Sequence, residues 1–218
     1  MRLYHFTKTQ HALDDIRNQR LKIATFDDLN DPFELLCVDL SREEHALAFE
    51  MYKKEMASRF GVLCFTEVWK SILQWSHYAE HHRGMCLGFD VSYAKKFGQI
   101  EYKSGKIPFP KGQLDGEFSW KILSTKYKGW EYEKEWRVFL TLETPTWSES
   151  ARRGLYFAEF GADLLLREVI LGAENPEPLE DVFSFLGHCS DSVQVFKVQL
   201  SASRFELTRN EVKQPHKQ

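Results

Sequence analysis

The chain has 218 residues, of which 43% are hydrophobic and 14% aromatic, and its formal net charge is -3 at pH 7. This composition supplies one hydrophobic core and excludes intrinsic disorder over most of the length, while the small negative charge argues against bulk electrostatic binding of nucleic acid. The sequence has no apolar stretch of the roughly 18 residues that span a bilayer and no signal peptide at its N-terminus, so we expect a cytoplasmic protein.

The beginning of the chain predicts a compact β-α-β unit. A strand is predicted over Leu3–Phe6, a helix follows with Thr9 as its cap, and a second strand covers Leu21–Ala24. The next segment, 25–34, which ends in LNDPFE, gathers turn-forming residues around Pro32 and predicts a rigid loop.

The central part of the chain predicts two helix–strand units. Ser41 with Glu44, and Ser71 with Gln74, have the spacing of capping boxes and place the two helix starts. The predicted elements are a helix over 41–59, a strand over 61–66, a helix over 71–84 and a strand over 85–90.

The segment from 98 to 128 predicts only short elements, a strand over 100–102 and a helix over 118–123, among many lysines. Charge runs are usually solvated loops, and this interpretation is favoured here. The alternatives are a basic patch for a phosphate-bearing ligand and, over 103–128, a flexible cover above a site. The lysines concerned are Lys103, Lys106, Lys111, Lys121, Lys126 and Lys128.

Side-chain alternation predicts a strand over Tyr132–Leu142 that places Glu133, Glu135 and Arg137 on one face. Three charges in a row cannot be buried without partners or a ligand, so this face is either exposed and ion-paired or part of a site. The aromatic segments on both sides favour a site. Two glutamates on one face share a field, which tends to raise the pKa of one of them and suits hydrogen-bonding and base roles.

The remaining sequence completes an α+β pattern. Strands are predicted over 155–160, 168–171 and 193–200, with a helix over 179–186. We therefore expect a single domain over 1–209 with mixed, mostly antiparallel sheets and flanking helices, followed by a polar tail over 210–218. The cysteines are scattered and are predicted to be buried free thiols: Cys37, Cys64, Cys86 and Cys189.

Several further side chains allow both a structural and a functional interpretation. His5 lies in the first strand and is followed by Thr7, so one of them faces a cleft if the strand lines one, and otherwise His5 is a core histidine. Trp75 and Tyr78 lie on or beside one face of the predicted helix over 71–84, where they either stack on a planar ligand or pack in the core.

Common catalytic and metal motifs are not supported by the sequence. Two histidines, His77 and His81, are four residues apart, but the glutamate that a zincin helix needs directly after the first histidine is missing, so we expect no metal site. The sequence also lacks a glycine-rich phosphate loop, a Gly-x-Ser-x-Gly elbow and a dinucleotide fingerprint.

Five motifs together resemble a large bacterial family known as a domain of unknown function. They are YHFT, LNDPFE, CFTE, WSHYAEHHRGMCLGFD and WEYEKEWR, and they cover most of the chain. The pattern is in turn similar to the ADP-ribosyltransferase superfamily, where an early strand carries His or Arg, a second strand an aromatic or hydroxyl residue, and a late strand Glu. The resemblance implies a split-sheet fold and NAD as the substrate.

Carried over residue by residue, the resemblance implies a role for each matching side chain. His5, helped by Thr7, would hold a ribose of NAD, and Thr66 would occupy the second strand, where the superfamily often has Tyr or a Ser-Thr-Ser run. Glu135 would be the catalytic glutamate and Glu133 would align or deprotonate the acceptor. The other expected cofactor-binding residues are Trp75 and Tyr78, stacking on nicotinamide, and Arg137, to which the superfamily pattern assigns no role.

This resemblance predicts a transferase that moves ADP-ribose from NAD to a protein or nucleic-acid acceptor, in bacterial stress response or phage defence. Two alternatives remain open at the level of sequence. One is a non-catalytic module that senses nucleotides or nucleic acid through the aromatic and lysine-rich segments. The other is a metal-dependent nuclease or hydrolase that needs a divalent ion at the carboxylates or histidines.

Overall fold

The computed structural model describes residues 1–92, 97–110, 114–143, 146–148, 153–187 and 192–210, with backbone only at 146–148 and 153. The described chain is α+β, and most strand pairs are antiparallel, which confirms the predicted fold class. Within these residues no helix is both long and apolar enough to cross a membrane. The predicted domain limits, 1–209, stay a prediction, and the predicted tail lies outside the described residues from 211 onward.

Five α-helices lie in the described part of the chain. They are α1 Thr9–Asn18, α2 Glu43–Arg59, α3 Ile72–Tyr78, α4 Gly116–Leu123 and α5 Leu179–Leu186. Caps explain two of the starts: the Ser71 hydroxyl accepts the N–H of Gln74 at 3.4 Å before α3, and the Asp115 carboxylate accepts the N–H of Phe118 at 2.9 Å before α4.

Thirteen strands are found in the same described ranges. They are β1 Arg2–Thr7, β2 Arg20–Ile23, β3 Phe60–Thr66, β4 Met85–Val91, β5 Gly98–Gln99, β6 Glu101–Lys103, β7 Thr125–Tyr127, β8 Glu135–Thr141, β9 Thr146–Ser148, β10 Arg153–Glu159, β11 Leu164–Leu171, β12 Gln194–Leu200 and β13 Leu207–Arg209.

The chain forms two compact units, each built from segments that are distant in sequence. Unit 1 comprises the described residues of Met1–Leu21, Phe65–Ala94 and Glu159–Gln218. Its sheet has the order β13-β12-β11-β4-β1, and Thr66 at the end of β3 pairs with Tyr4 of β1. The central strand β4 is almost entirely buried, as its apolar sequence MCLGFDV predicts for a strand that is covered on both faces.

Unit 2 comprises the described residues of Lys22–Cys64 and Lys95–Ala158. Its part of β3, together with β8 and β5, has the order β3-β8-β5, while β6 and β7 form a separate parallel pair. Helices α2 and α4 contribute Phe49, Phe118 and Ile122 to a hydrophobic core that also includes Val38 and Ile107. The last core residue of α4, Leu123, is followed two residues later by β7, which carries Lys126.

Several predicted elements differ from those in the structure. Helix α1 begins at Thr9, preceded by Lys8 as its cap, and the Thr9 hydroxyl donates to the carbonyl of Arg83 at 2.8 Å instead of capping the helix. Helix α2 has Arg42 at its N-cap with no side-chain cap, so the predicted Ser41 capping box is wrong. Instead, Glu43 and Glu44 in the first turn of α2 interact favourably with the positive end of the helix dipole.

Two further corrections concern the motifs that suggested chemistry. Helix α3 ends at Tyr78 and not at Gly84, because Glu80, His81 and His82 all have positive φ angles that no α-helix accepts. The predicted strand over 132–142 begins only at Glu135, since residues up to 133 form a 3-10 helix that ends in the left-handed residue Lys134.

The cysteines are free thiols where the structure describes them. Cys86 is buried, as predicted, whereas Cys37 and Cys64 are half-buried. Cys189 lies outside the described residues.

Candidate functional site

Five charged side chains are buried together in unit 2 and form a continuous series of ion pairs, which we call the charge network. None of them exposes more than 7% of its surface. The network consists of Glu34, Lys126, Glu133, Glu135 and Arg137. Burying five charges is costly unless each has partners, so the geometry of these contacts decides what the cluster can do.

Strand β8 positions the centre of the charge network. Glu135 and Arg137 are two residues apart on β8, so their side chains project from the same face, as the alternation in sequence predicts. Glu133 reaches the same place by a different route, as the last residue of the 3-10 helix that precedes Lys134. The predicted grouping of the three side chains is therefore confirmed, although Glu133 is not on the strand.

The other two residues come from a turn and from the short strand β7. Glu34 lies in the turn of the LNDPFE segment, where the Asp31 carboxylate accepts the N–H of Phe33 at 2.9 Å and the Asp31 carbonyl accepts the N–H of Glu34 at 2.9 Å. Lys126 lies opposite Tyr102 in the parallel pair of β6 and β7. Turn hydrogen bonds thus position Glu34, and strand pairing positions Lys126.

Arg137 clamps two carboxylates at once. Its Nη1 and Nη2 atoms lie 2.5 and 2.9 Å from the two oxygens of Glu34, a bidentate pair. Its Nε lies 2.6 Å from Oε1 of Glu135, and its Nη2 lies 3.2 Å from Oε2 of the same group. Nη1 also donates to the carbonyl of Leu123 at 3.3 Å. The guanidinium is therefore held on all sides and is only 1% exposed.

Lys126 joins the two glutamates that the sequence pattern placed on one face. Its Nζ lies 2.6 Å from Oε2 of Glu133 and 3.0 Å from Oε2 of Glu135. The same ammonium lies 4.9 Å from the centre of the Trp130 ring, within the range of a cation–π contact. Glu135 thus has cations against both of its oxygens.

These contacts keep Glu135, Lys126 and Arg137 ionised. Burial alone would raise the pKa of Glu135, but Arg137 and Lys126 outweigh it and lower that pKa to about 2. Burial alone would likewise lower the pKa values of Lys126 and Arg137, and the neighbouring carboxylates raise both instead. The sequence predicted that the two glutamates raise the pKa of one of them, and this prediction is wrong for Glu135. The attraction of the adjacent Arg137 and Lys126 lowers its pKa instead.

Two neutral groups border Glu135. The Tyr102 hydroxyl accepts the backbone N–H of Glu135 at 2.8 Å, and burial, with nearby carboxylates, raises the pKa of Tyr102 to about 12. Burial, followed by the charge of Glu135, raises the pKa of the Cys64 thiol well above its ordinary value. Both groups are therefore protonated at neutral pH, and Glu135 is the ionised group between them.

The lysine-rich segment is not a uniform solvated loop. Lys126 is buried in the charge network and α4 covers part of the segment, so the loop interpretation is wrong at these positions. Lys121 and Lys128 are exposed, and Lys103 pairs with Glu101 near the surface. Lys111 lies outside the described residues.

The other predicted site residues lie in unit 1. His5 and Thr7 are half-buried on β1, and the His5 ring lies 5.8 Å from the ring of Phe65. Thr66 is 3% exposed, and its hydroxyl accepts the N–H of Val68 at 3.2 Å, which stabilises the turn after β3. Thr66 thus has a local structural role at the end of β3.

The two aromatic residues of α3 differ in exposure. Trp75 is fully buried, donates its indole N–H to the carbonyl of Trp69 at 2.6 Å and packs edge-on against Phe6. Its packing matches the interpretation as a core residue. Tyr78 is half-buried, with its ring 6.1 Å from that of His77.

Sequence reasoning did not identify Glu34 and Lys126 as members of the cluster. A signal for Glu34 was present, since it ends a motif of turn-forming residues and follows Pro32 and Phe33. Lys126 gave no such signal among the other lysines.

Among the described residues, no group of three or more His, Cys, Asp or Glu side chains has a geometry that could hold a metal ion. Comparisons of the chain with protein-family models, with curated proteins and with solved structures find no match.

Proposed function

We propose that the chain is an ADP-ribosyltransferase-like enzyme that uses NAD and transfers ADP-ribose to a protein or nucleic-acid acceptor in the cytoplasm, as part of a bacterial stress or defence response. The observation that carries the proposal is the state of Glu135. This carboxylate is buried, lies beside a second carboxylate from Glu133, and has a pKa lowered to about 2. It is therefore ionised at any physiological pH.

A permanently ionised carboxylate suits this reaction. Cleavage of the bond between nicotinamide and ribose develops positive charge on the sugar, and a fixed negative group that is already in place stabilises that charge without reorganisation. With a pKa of about 2, Glu135 is too weak a base to accept a proton at neutral pH. Its role in the proposal is accordingly electrostatic, through contact with a ribose hydroxyl and with the developing cation.

The proposal requires one oxygen of Glu135 to become available. Arg137 holds Oε1 through its Nε at 2.6 Å, whereas Oε2 is held by the longer contacts, 3.0 Å from Lys126 and 3.2 Å from Arg137. A ribose hydroxyl would therefore bind at Oε2, with the positive charge of the nucleotide in the place of the Lys126 ammonium. Glu133, on the same ammonium, would align the acceptor.

The test compares two variants that remove equal charge from the two sides of Arg137. Purified wild type, Glu135→Gln and Glu34→Gln are incubated with NAD, and free nicotinamide is followed by chromatography. Each variant replaces a carboxylate that has two contacts with the same guanidinium, and Glu135→Gln also changes the contact with Lys126. Both variants are therefore destabilised, by about 3 to 5 kcal/mol. The transferase proposal expects nicotinamide release to fall by at least about 100-fold in Glu135→Gln and to persist in folded Glu34→Gln.

A control separates unfolding from loss of chemistry. Each variant is measured below its own unfolding transition, determined by circular dichroism. Equal losses of activity in the two folded variants would assign Glu135 a structural role and would contradict the transferase proposal.

A second function, a nucleotide-binding module without turnover, does not require Glu135 to be an accessible carboxylate. Both oxygens of Glu135 are bound by cations, and the residue is only 5% exposed, as expected for a structural ion network. This function expects NAD or a related nucleotide to bind without release of nicotinamide. Isothermal titration of wild type beside the release assay distinguishes the two, because binding without release supports the module alone.

A further inference from the structure

We propose that Lys126 determines which form of the nucleotide the site accepts: its ammonium occupies the place of the substrate's positive charge, so that only a ligand bringing such a charge displaces it. This inference rests on the proposed use of NAD. It goes beyond that use by naming a residue that determines specificity. It also predicts that the site prefers NAD+, whose nicotinamide ring is positively charged, over NADH, whose ring is neutral.

The position of the Lys126 ammonium is the first observation. It is shared between Oε2 of Glu133 at 2.6 Å and Oε2 of Glu135 at 3.0 Å, the two carboxylates that the proposed reaction uses. Both contacts are buried, since the Lys126 and Glu133 side chains are each 5% exposed and that of Glu135 is 6% exposed. A cation is therefore already present where a cationic nicotinamide or ribose would have to bind.

Lys126 is the cation of the network that can leave. Arg137 is fixed by bidentate contacts to Glu34 and by two contacts to Glu135, and its planar group has no free direction. Lys126 has a flexible four-carbon side chain and only point contacts. It also has a second partner, because its Nζ lies 4.9 Å from the centre of the half-buried Trp130 ring. An ammonium that moves off the carboxylates towards that ring keeps a favourable cation–π contact.

Charge then decides which ligand can displace Lys126. When the ammonium leaves, two buried carboxylates lose a counter-ion, which is strongly unfavourable unless another cation replaces it. The nicotinamide ring of NAD+ carries a positive charge, whereas the ring of NADH is neutral. The wild-type site should therefore bind NAD+ more tightly than NADH, although the two molecules share every phosphate and ribose group.

The experiment measures dissociation constants of NAD+ and NADH by isothermal titration for wild type, Lys126→Met and Lys126→Arg. Removing the ammonium leaves the carboxylates ready for a cation, so Lys126→Met should bind NAD+ about tenfold or more tightly than wild type. Its affinity for NADH should change by less than about threefold, since a neutral ring gains nothing from the unpaired carboxylates. Lys126→Arg keeps the charge and should show no gain for NAD+.

A second variant keeps the proposal testable if Lys126→Met does not fold. The double variant Lys126→Met with Glu133→Gln removes one charge of each sign, so that only Glu135 loses a counter-ion, while its contact with Arg137 remains. It should fold and should still shift the ratio of the two dissociation constants towards NAD+. The remaining contact of Glu135 with Arg137 is unchanged in this variant.

The outcomes separate this proposal from the proposed function. If wild type releases nicotinamide but Lys126→Met shifts the affinities for NAD+ and NADH in parallel, Lys126 acts on a group common to both nucleotides and the specificity role is overturned, while the enzyme proposal stands. If neither wild type nor any variant binds NAD+ or releases nicotinamide, both proposals fail together. A gain confined to NAD+ supports the specificity role.

Discussion

Acid should destabilise this protein through Glu135 in a defined pH window. The ordinary pKa of this carboxyl is 4.5, and in the folded protein the pKa is about 2. Because the folded pKa is the lower one, the stabilisation from Glu135 is fully present above pH 4.5 and is lost as the pH falls towards 2. Below pH 2 both the folded and the unfolded chain are protonated at this site.

The magnitude follows from the two pKa values. A difference from 4.5 to about 2, at about 1.4 kcal/mol for each pH unit, corresponds to about 3 kcal/mol of folding free energy. Integration of the same linkage relation to pH 3 gives a loss of about 2 kcal/mol from this one group. That is a large share of the roughly 5 to 15 kcal/mol that typically stabilises a folded protein.

Urea unfolding at pH 6 and at pH 3 measures this loss, with tryptophan fluorescence as the signal. Other carboxylates titrate in the same range, among them Asp90, whose pKa is lowered by hydrogen bonds from Arg2 and Arg167. The Glu135→Gln variant retains those groups and lacks the titration of Glu135. Its lower stability does not enter the result, because each protein is compared with itself at the two pH values. Wild type should therefore lose about 2 kcal/mol more than Glu135→Gln between the two pH values. Equal losses would refute the claim that Glu135 is held ionised by its cations.

The remaining predictions concern stability. Arg137→Met leaves two buried carboxylates without their shared partner, so it should lower the free energy of unfolding by about 5 kcal/mol, and a loss below about 2 kcal/mol would contradict the contacts described. Gly172→Ala should cost about 3 kcal/mol, because a Cβ atom there would lie 2.0 Å from the carbonyl oxygen of His82. Gly161→Ala is its control: nothing lies within 4 Å of the new Cβ, so urea unfolding should change by less than about 0.5 kcal/mol.

Local pattern was enough to predict many individual elements. Helix α5 has the predicted bounds, 179–186, and α3 begins after the predicted cap Ser71, because capping and apolar spacing act over a single helical turn. The apolar run MCLGFD also predicted a strand, which the structure has as β4, Met85–Val91. The alternation of side chains along β8 was likewise sufficient to predict that Glu135 and Arg137 share one face.

Features that depend on unusual backbone angles could not be predicted from periodicity. Three successive residues with positive φ, from Glu80 to His82, end α3 early, although none of them is a glycine that would signal such a turn. Lys134 likewise adopts a left-handed conformation, so Glu133 is not part of the strand. The Glu133 carboxylate nevertheless shares the Lys126 ammonium with Glu135.

By itself, the sequence determined the fold class, because the alternation of side chains is a local property. It also showed that Glu133, Glu135 and Arg137 need partners if they are buried, because the cost of desolvating a charge depends only on the residue type. Only the tertiary structure decided which partners they have. Glu34 lies 103 residues before Arg137 in the chain, and Lys126 looks like its neighbouring lysines until it is buried against two glutamates. No local pattern encodes such pairings, since they form where distant segments pack together and exclude water from their charges.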